Sequence, residues 1–343
     1  MTSPQMIQLE RPAMACRFGI TVIGEDTELL QQAAEDAFDE IERIESLLSM
    51  YDPDSILSGI NRAAAAGPTG VLSEIFELLL LAGTIWEETD GAFDPTMGPL
   101  VRLWRGWRED GTAPDPAAID EVRQRVGMNH VEFDVPGRSI RFDRPDVEID
   151  LGAIGKGYAV DQAAEVLDQY GIEHFLVHGG TSTIAAQGSM DAESDGWRLG
   201  MAAPSDPDGI AEVVTLRDEA CACSNQLNQF YEHDGRQLGH VIDPRTGWPA
   251  PAESSILVVC TSATRADALS TALLVLGNEA VEQVNQTFRG VRAYCLSGGA
   301  EPRMDGLDSK GTVRSDGSAA GTNVENGQGT QNPTTVGGQG ADE

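Results

Sequence analysis

Basic residues are scarce in this chain. Only 23 of its 343 residues are lysine or arginine, against 55 aspartates and glutamates, for a formal net charge of −32. So acidic a surface repels nucleic acid and anionic lipid, and neither is an expected partner. Long apolar runs are missing as well. The first ten residues are polar and Arg11 leads directly into a strand-like segment, so neither an export signal nor a membrane span is expected. The five cysteines, at 16, 221, 223, 260 and 295, are an odd set in mostly apolar, strand-like surroundings. Cys221-x-Cys223 alternates as a strand does and lacks metal-site spacing. This pattern favours thiols in a reducing compartment over a disulfide framework, and the expected location is the cytoplasm.

What is present suffices for a sizeable core. Hydrophobic residues make up 41%, an ordinary share, and the length fits one large domain or two smaller ones. Arg17 to Gly24 alternates like a strand. Leu29, Leu30, Ala33, Ala34, Ala37, Phe38, Ile41, Ile44, Leu47 and Leu48 then mark a long helix with one apolar face. A turn-rich stretch covers 52–70, and helices are predicted over 73–88, 119–126, 154–170, 265–276 and 279–288. Short strands are predicted at 130–135, 139–142, 147–149, 175–177, 255–260 and 292–296. From about Gly299 the composition turns to Gly, Ser, Thr, Asn and Gln without periodicity. Residues 299–343 therefore read as a disordered polar and acidic tail behind a domain at 1–298.

Three segments can carry chemistry. Asp150-Leu-Gly-Ala-Ile-Gly-Lys156-Gly-Tyr-Ala-Val-Asp161 reads as a strand end, a glycine turn and a helix start, suited to a phosphorylated ligand or to a plain tight turn. It is not a phosphate-binding Walker loop, because Asp150 and Gly157 stand where glycine and a hydroxyl are needed, and its glycines do not follow Gly-x-Gly-x-x-Gly. Asp267 and Thr271 lie four apart on one helical face. They can hold a hard cation such as Mg2+, or Thr264 and Asp267 can form a capping box. His240-Val-Ile-Asp243-Pro-Arg245-Thr-Gly247 ends a strand in a proline and glycine turn. Asp243 reads as starting that turn and pairing locally with Arg245, and His240 as a satisfied structural residue or as a proton acceptor or phosphate-side donor. Phe93-Asp94-Pro95-Thr96, Tyr51 and the spaced Trp104 and Trp107 read as core anchors or as ring-stacking groups.

Taken in series, these pieces resemble the FAD:protein FMN transferase (ApbE) family. The resemblance rests on Met14-Ala-Cys, Ser49-Met-Tyr51 through Ser55 and Asn61, Phe93-Asp94-Pro95-Thr96 with Gly98-Pro99-Leu100, and the Asp150–Asp161 segment. It continues through Gly179-Gly180, the His240–Gly247 segment and Ala266-Asp267-Ala-Leu-Ser-Thr271. It implies a single α+β unit of two lobes, with mixed sheets and flanking helices around a central flavin cleft. It also implies Mg2+-dependent transfer of FMN from FAD, as substrate, to a Thr or Ser hydroxyl of an acceptor flavoprotein, releasing AMP. By the same resemblance Met14, Tyr51, the Ala92-Phe93-Asp94 backbone, Asp150, Lys156 and the His240-Val241 strand end line the FAD site. Ala153, Asp267 and Thr271 hold the metal with Ser270 nearby. His240 or a neighbouring carboxylate removes the hydroxyl proton.

Some positions depart from the family pattern. Cys223-Ser224-Asn225 replaces a common Thr-Ser-Gly, Thr181 follows the paired glycines, and position 270 is serine where some members are acidic. Many relatives are exported, whereas no export signal is read here, which implies either work inside the cell or a start further upstream. The rival functions are an FAD pyrophosphatase using the same metal, a non-catalytic flavin binder, and a flavin oxidoreductase, the last disfavoured by the lack of a nicotinamide motif.

Overall fold

The computed structural model describes residues 4–110, 113–191, 194–203, 206–225, 230–233, 236–251, 254–297 and 301–304. Its helices are α1 (Thr27–Leu48), α2 (Ile56–Ala63), α3 (Ser73–Glu88), α4 (Gly98–Asp110), α5 (Pro116–Arg123), α6 (Gly155–Gln169), α7 (Ala263–Leu276) and α8 (Asn278–Thr287). The central element is a seven-stranded sheet in the order Gln5–Ala13, Cys16–Gly24, His174–Gly179, Thr183–Gln187, Glu219–Asn225, Ser254–Cys260 and Arg292–Ser297. Three smaller sheets of three strands each surround it.

Period-two alternation sends the strand side chains to two different covers. Phe175, Val177, Ala185, Ala222, Ile256 and Val258 face the main core with α1, α6 and α7. Leu176, Ile184, Cys221, Leu257 and Val259 face the other way, onto Trp197, Leu199 and Leu216. The helix α1 forms because its apolar residues recur every three to four positions, and Asp26 caps it by accepting from the N–H groups of Glu28 and Leu29. Phe38 and Ile41 on its inner face are fully buried, each stabilising the fold by about 1.5–3 kcal/mol.

The contact between α6 and α7 positions the functional residues, and each helix caps the other. Asp161 on α6 accepts from the N–H groups of Ala263 and Thr264 and from the hydroxyls of Ser262 and Thr264, at 2.6–2.9 Å. Asp267 on α7 accepts from the N–H of Gly157 at 3.0 Å, in the first turn of α6. Carboxylates at helix N-termini satisfy unpaired donors and meet the positive end of the dipole. The helices approach so closely that a Cβ on Gly157 would lie 2.3 Å from the Ala263 carbonyl oxygen.

The α+β class with flanking helices is what the chain adopts, and every strand pairing among the described residues is antiparallel. Several sequence expectations are corrected. Residues 147–149 form no strand; both backbone groups of Ile149 are satisfied instead by the Asn61 amide, at 2.9 Å each. The turn-rich stretch 52–70 contains α2, capped by Ser55, whose hydroxyl accepts from the Ser58 N–H. The segment after Pro99 is helix α4, and the polar start of the chain supplies the edge strand Gln5–Ala13. Thr264 is not the N-cap of α7. Ser262 takes that place, and the Thr264 hydroxyl is spent on Asp161. Residues Glu301–Met304, inside the span expected as tail, pair as a strand with Leu199–Ala202, while 305–343 lie outside the described residues.

Because backbone atoms block a Cβ at position 157, Gly157→Ala must push α6 and α7 apart. We expect a loss of about 1–3 kcal/mol of stability, read from urea unfolding curves. An unchanged midpoint would show that the two helices can slide without cost.

Candidate active site

Two adjoining cavities open where α6 and α7 begin. The larger, about 430 Å3, is lined by Ala92, Phe93 and Asp94, by Asp150, Gly152, Ala153 and Lys156, by Cys223, Ser224 and Asn225, by His240, Val241 and Ile242, and by Asp267 and Thr271. The smaller, about 250 Å3, is lined by Met14, Ala15, Glu45, Tyr51, Asp150, Gly152 and Lys156 among others. Asp150, Gly152 and Lys156 border both, so the cavities share a wall made of the glycine turn. Together they offer an elongated ligand an apolar end and a polar end.

At the polar end Asp267 is almost fully buried. One carboxylate oxygen accepts from Gly157, and the other faces the Lys156 ammonium at 3.8 Å and accepts from the Thr183 hydroxyl at 3.3 Å. Burial raises its pKa, and Lys156 opposes that rise most strongly. Thr271, one turn on, directs its hydroxyl to the Asp267 carbonyl and the Ser224 hydroxyl, both at 3.3 Å. Ser270 is fully buried and bonds Ser224 at 2.8 Å. It lies behind Thr271 and does not line the cavity.

At the other end Met14 and Ala15 form a two-residue hairpin between the first two strands, both with left-handed φ (47° and 59°). Such a turn is strained without glycine, and the Glu45 carboxylate holds it by accepting from the Met14 N–H at 2.7 Å. Tyr51 is 68% exposed at the cavity edge, with the Arg105 guanidinium 4.8 Å over its ring. A small side cavity joins Tyr51, Arg105 and His240.

His240 lies two residues before the end of the strand Arg236–Ile242, and the turn after that strand is built locally. Asp243 binds the Arg245 side chain through two contacts of 2.9 Å, and its carbonyl accepts from Gly247 at 2.7 Å. Trp104 of α4 clamps that turn by donating to the Gly247 carbonyl at 2.8 Å and stacking edge-on against Trp248. The core reading of Trp104 is therefore the correct one; the side chain of Trp107 lies outside the described residues.

With this geometry in place, comparison with known proteins is informative. Residues 14–295 match the model of the ApbE family. The chain belongs to the ApbE family. The FAD:protein FMN transferase of Salmonella typhimurium is 32% identical over 289 residues, covering 82% of this chain and 82% of that protein. The FAD:protein FMN transferase of Treponema pallidum is 31% identical over 281 residues, covering 77% and 76%. Among solved structures, the ApbE protein of Thermotoga maritima aligns with a TM-score of 0.77 at 30% identity, over 87% of this chain and 97% of its own. The flavin transferase ApbE from Vibrio cholerae gives 0.73 at 27% identity, over 88% and 97%.

Sequence reasoning singled out most of what this ApbE-family chain brings together. Met14 and Tyr51 border the smaller cavity; Ala92, Phe93, Asp94, His240, Val241, Ala153, Asp267 and Thr271 border the larger; Asp150 and Lys156 border both. Ser270 is the exception. At the start of α6 the N–H groups of Gly155 and Gly157 are already taken, by the Leu151 carbonyl and by Asp267. Thr183 and Glu45 were missed, as was the partner of Asp161, and these contacts join segments between 31 and 103 residues apart. No local spacing signals such contacts.

Asp94 is buried, and burial lifts its pKa to about 6 despite two hydrogen bonds from Thr96. A carboxyl raised in the folded state binds its proton more tightly there than in the unfolded chain. Its contribution therefore favours folding below about pH 4 and is lost as pH rises through about 6. We expect Asp94→Asn to flatten the fall in stability between pH 4 and 7 by up to about 3 kcal/mol. Parallel urea titrations of both proteins measure it, and identical pH profiles would refute it.

Proposed function

We propose that this chain transfers FMN from FAD to a Thr or Ser hydroxyl of an acceptor protein, releasing AMP, with Mg2+ as cofactor. One observation carries the reading. Asp267, Thr271 and Ala153, from segments more than 100 positions apart, meet at a single cavity beside Lys156, and that cavity adjoins one suited to a flat ring. The names carried by the relatives support the transfer of FMN from FAD to a protein within this reading.

The residues fit a hard cation. Their donors are oxygens, and Asp267 is a buried carboxylate that can face the cavity. No group of three or more His, Cys, Asp or Glu surrounds a common point among the described residues. Asp267, Thr271 and Ala153 would hold the ion, with the diphosphate of FAD completing its oxygen set. When bound, the ion neutralises charge on the phosphoryl oxygens. Lys156 binds the diphosphate from the wall shared by both cavities, while Met14 and Tyr51 shelter the far end. His240, at the polar end, accepts the proton of the acceptor hydroxyl as its oxygen attacks the FMN phosphorus. The bond to the AMP oxygen breaks, and AMP leaves.

We place the reaction in the cytoplasm. The support for this placement is the five free thiols, three of them buried, which suit a reducing compartment.

Incubation with FAD, Mg2+ and an acceptor domain bearing Thr or Ser, followed by intact-mass measurement, tests this reading. The acceptor should gain one FMN unit, Asp267→Ala should abolish the gain, and His240→Gln should slow single-turnover transfer at least about 100-fold. Free FMN and AMP with an unmodified acceptor would identify a pyrophosphatase instead. Full labelling by Asp267→Ala would remove the metal assignment.

A further inference from the structure

Asp267 is already neutralised in this structure, which bears on when a metal can reach it. Its carboxylate faces one ammonium and receives two hydrogen bonds, from Gly157 and Thr183. Asp161, an acidic group whose charge Asp267 feels, is consumed by four donors at the start of α7. Asp94 and Asp150 also line this cavity, but at Asp267 itself one carboxylate is set against one lysine. An ion bound to the same carboxylate would also lie close to the Lys156 ammonium, and like charges at that range repel.

Lys156 has somewhere else to go. Its side chain is 26% exposed against 6% for Asp267, and it borders both cavities. The chain uses arginine at 21 of its 23 basic positions and lysine only at 156 and 310. A guanidinium would lock on a carboxylate through a fixed fork. An ammonium on a flexible stem is a point charge that exchanges partners readily.

Building on the function proposed above, we propose that Lys156 and the divalent cation compete for Asp267, so that FAD opens the metal position by drawing the lysine onto its diphosphate. Dinucleotide binding then precedes metal binding. Each ligand raises the affinity of the other, as linkage requires. Without FAD the lysine keeps the carboxylate occupied and the chain binds the metal weakly.

Mn2+ titrations of the full-length protein, followed by electron paramagnetic resonance of the free ion and without nucleotide, test the competition. Lys156→Met should bind Mn2+ at least tenfold more tightly than wild type, whereas a lysine that served only the phosphates would leave this affinity unchanged. Lys156→Arg should stay weak, and Lys156→Gln repeats the test should the Met variant melt early. Adding ADP as a diphosphate probe should tighten Mn2+ binding more in wild type than in Lys156→Met. Equal nucleotide-free affinities, with a Mn2+ site present, overturn the competition alone. Absence of Mn2+ binding in every protein, with ADP added, overturns the metal reading of the site together with it.

Discussion

Two carboxylates exchanged between two helices hold this molecule's working end together. Asp161 of α6 caps α7, and Asp267 of α7 caps α6. Each side chain leaves its own helix to satisfy the other's unpaired N–H groups, so neither helix start is properly formed without its partner. The missing Cβ at Gly157 permits the approach, and the glycine turn before α6 is thereby set against the inner face of α7. Lys156 and Asp267 meet as a consequence of that geometry.

The same arrangement explains how an acidic protein manages an anionic ligand. With a net charge of −32, long-range attraction to phosphate is unavailable, and the exposed arginines are largely paired with neighbouring carboxylates, as Arg43 is with Glu40 and Glu74. Local charge must be supplied by few groups. Lys156 is the cation bordering both cavities, and the carboxylates at the polar end are buried or capped. Burial raises the pKa of Asp94, Asp150 and Asp267 alike, which lessens the repulsion an anion meets there.

Rigidity at the cavity edge comes from unrelated devices. The Met14-Ala15 hairpin is held by Glu45, the 147–150 segment by Asn61 and Pro95, and the His240 strand end by Trp104. Each ties an irregular backbone stretch to another part of the fold, a common way to keep binding loops in place.

The sequence by itself determined the elements with strong periodicity and the segments that line the site. The helix at 27–48, the apolar strands and the motifs around Asp150, His240 and Asp267 were legible because hydrophobic spacing and turn residues are local properties. Less was legible where local propensity is weak. The short helix at 56–63, the helix after Pro99, the polar edge strand and the strand at 301–304 owe their form to what they pack or pair against. Only the tertiary structure decided that Thr264 serves Asp161, that Ser270 turns away from the cavity, and that Thr183 and Gly157 complete the Asp267 carboxylate. Those outcomes rest on contacts between residues far apart in the chain. Whether a polar side chain faces a cavity, a partner or a helix end depends on which donors the fold brings within hydrogen-bonding distance.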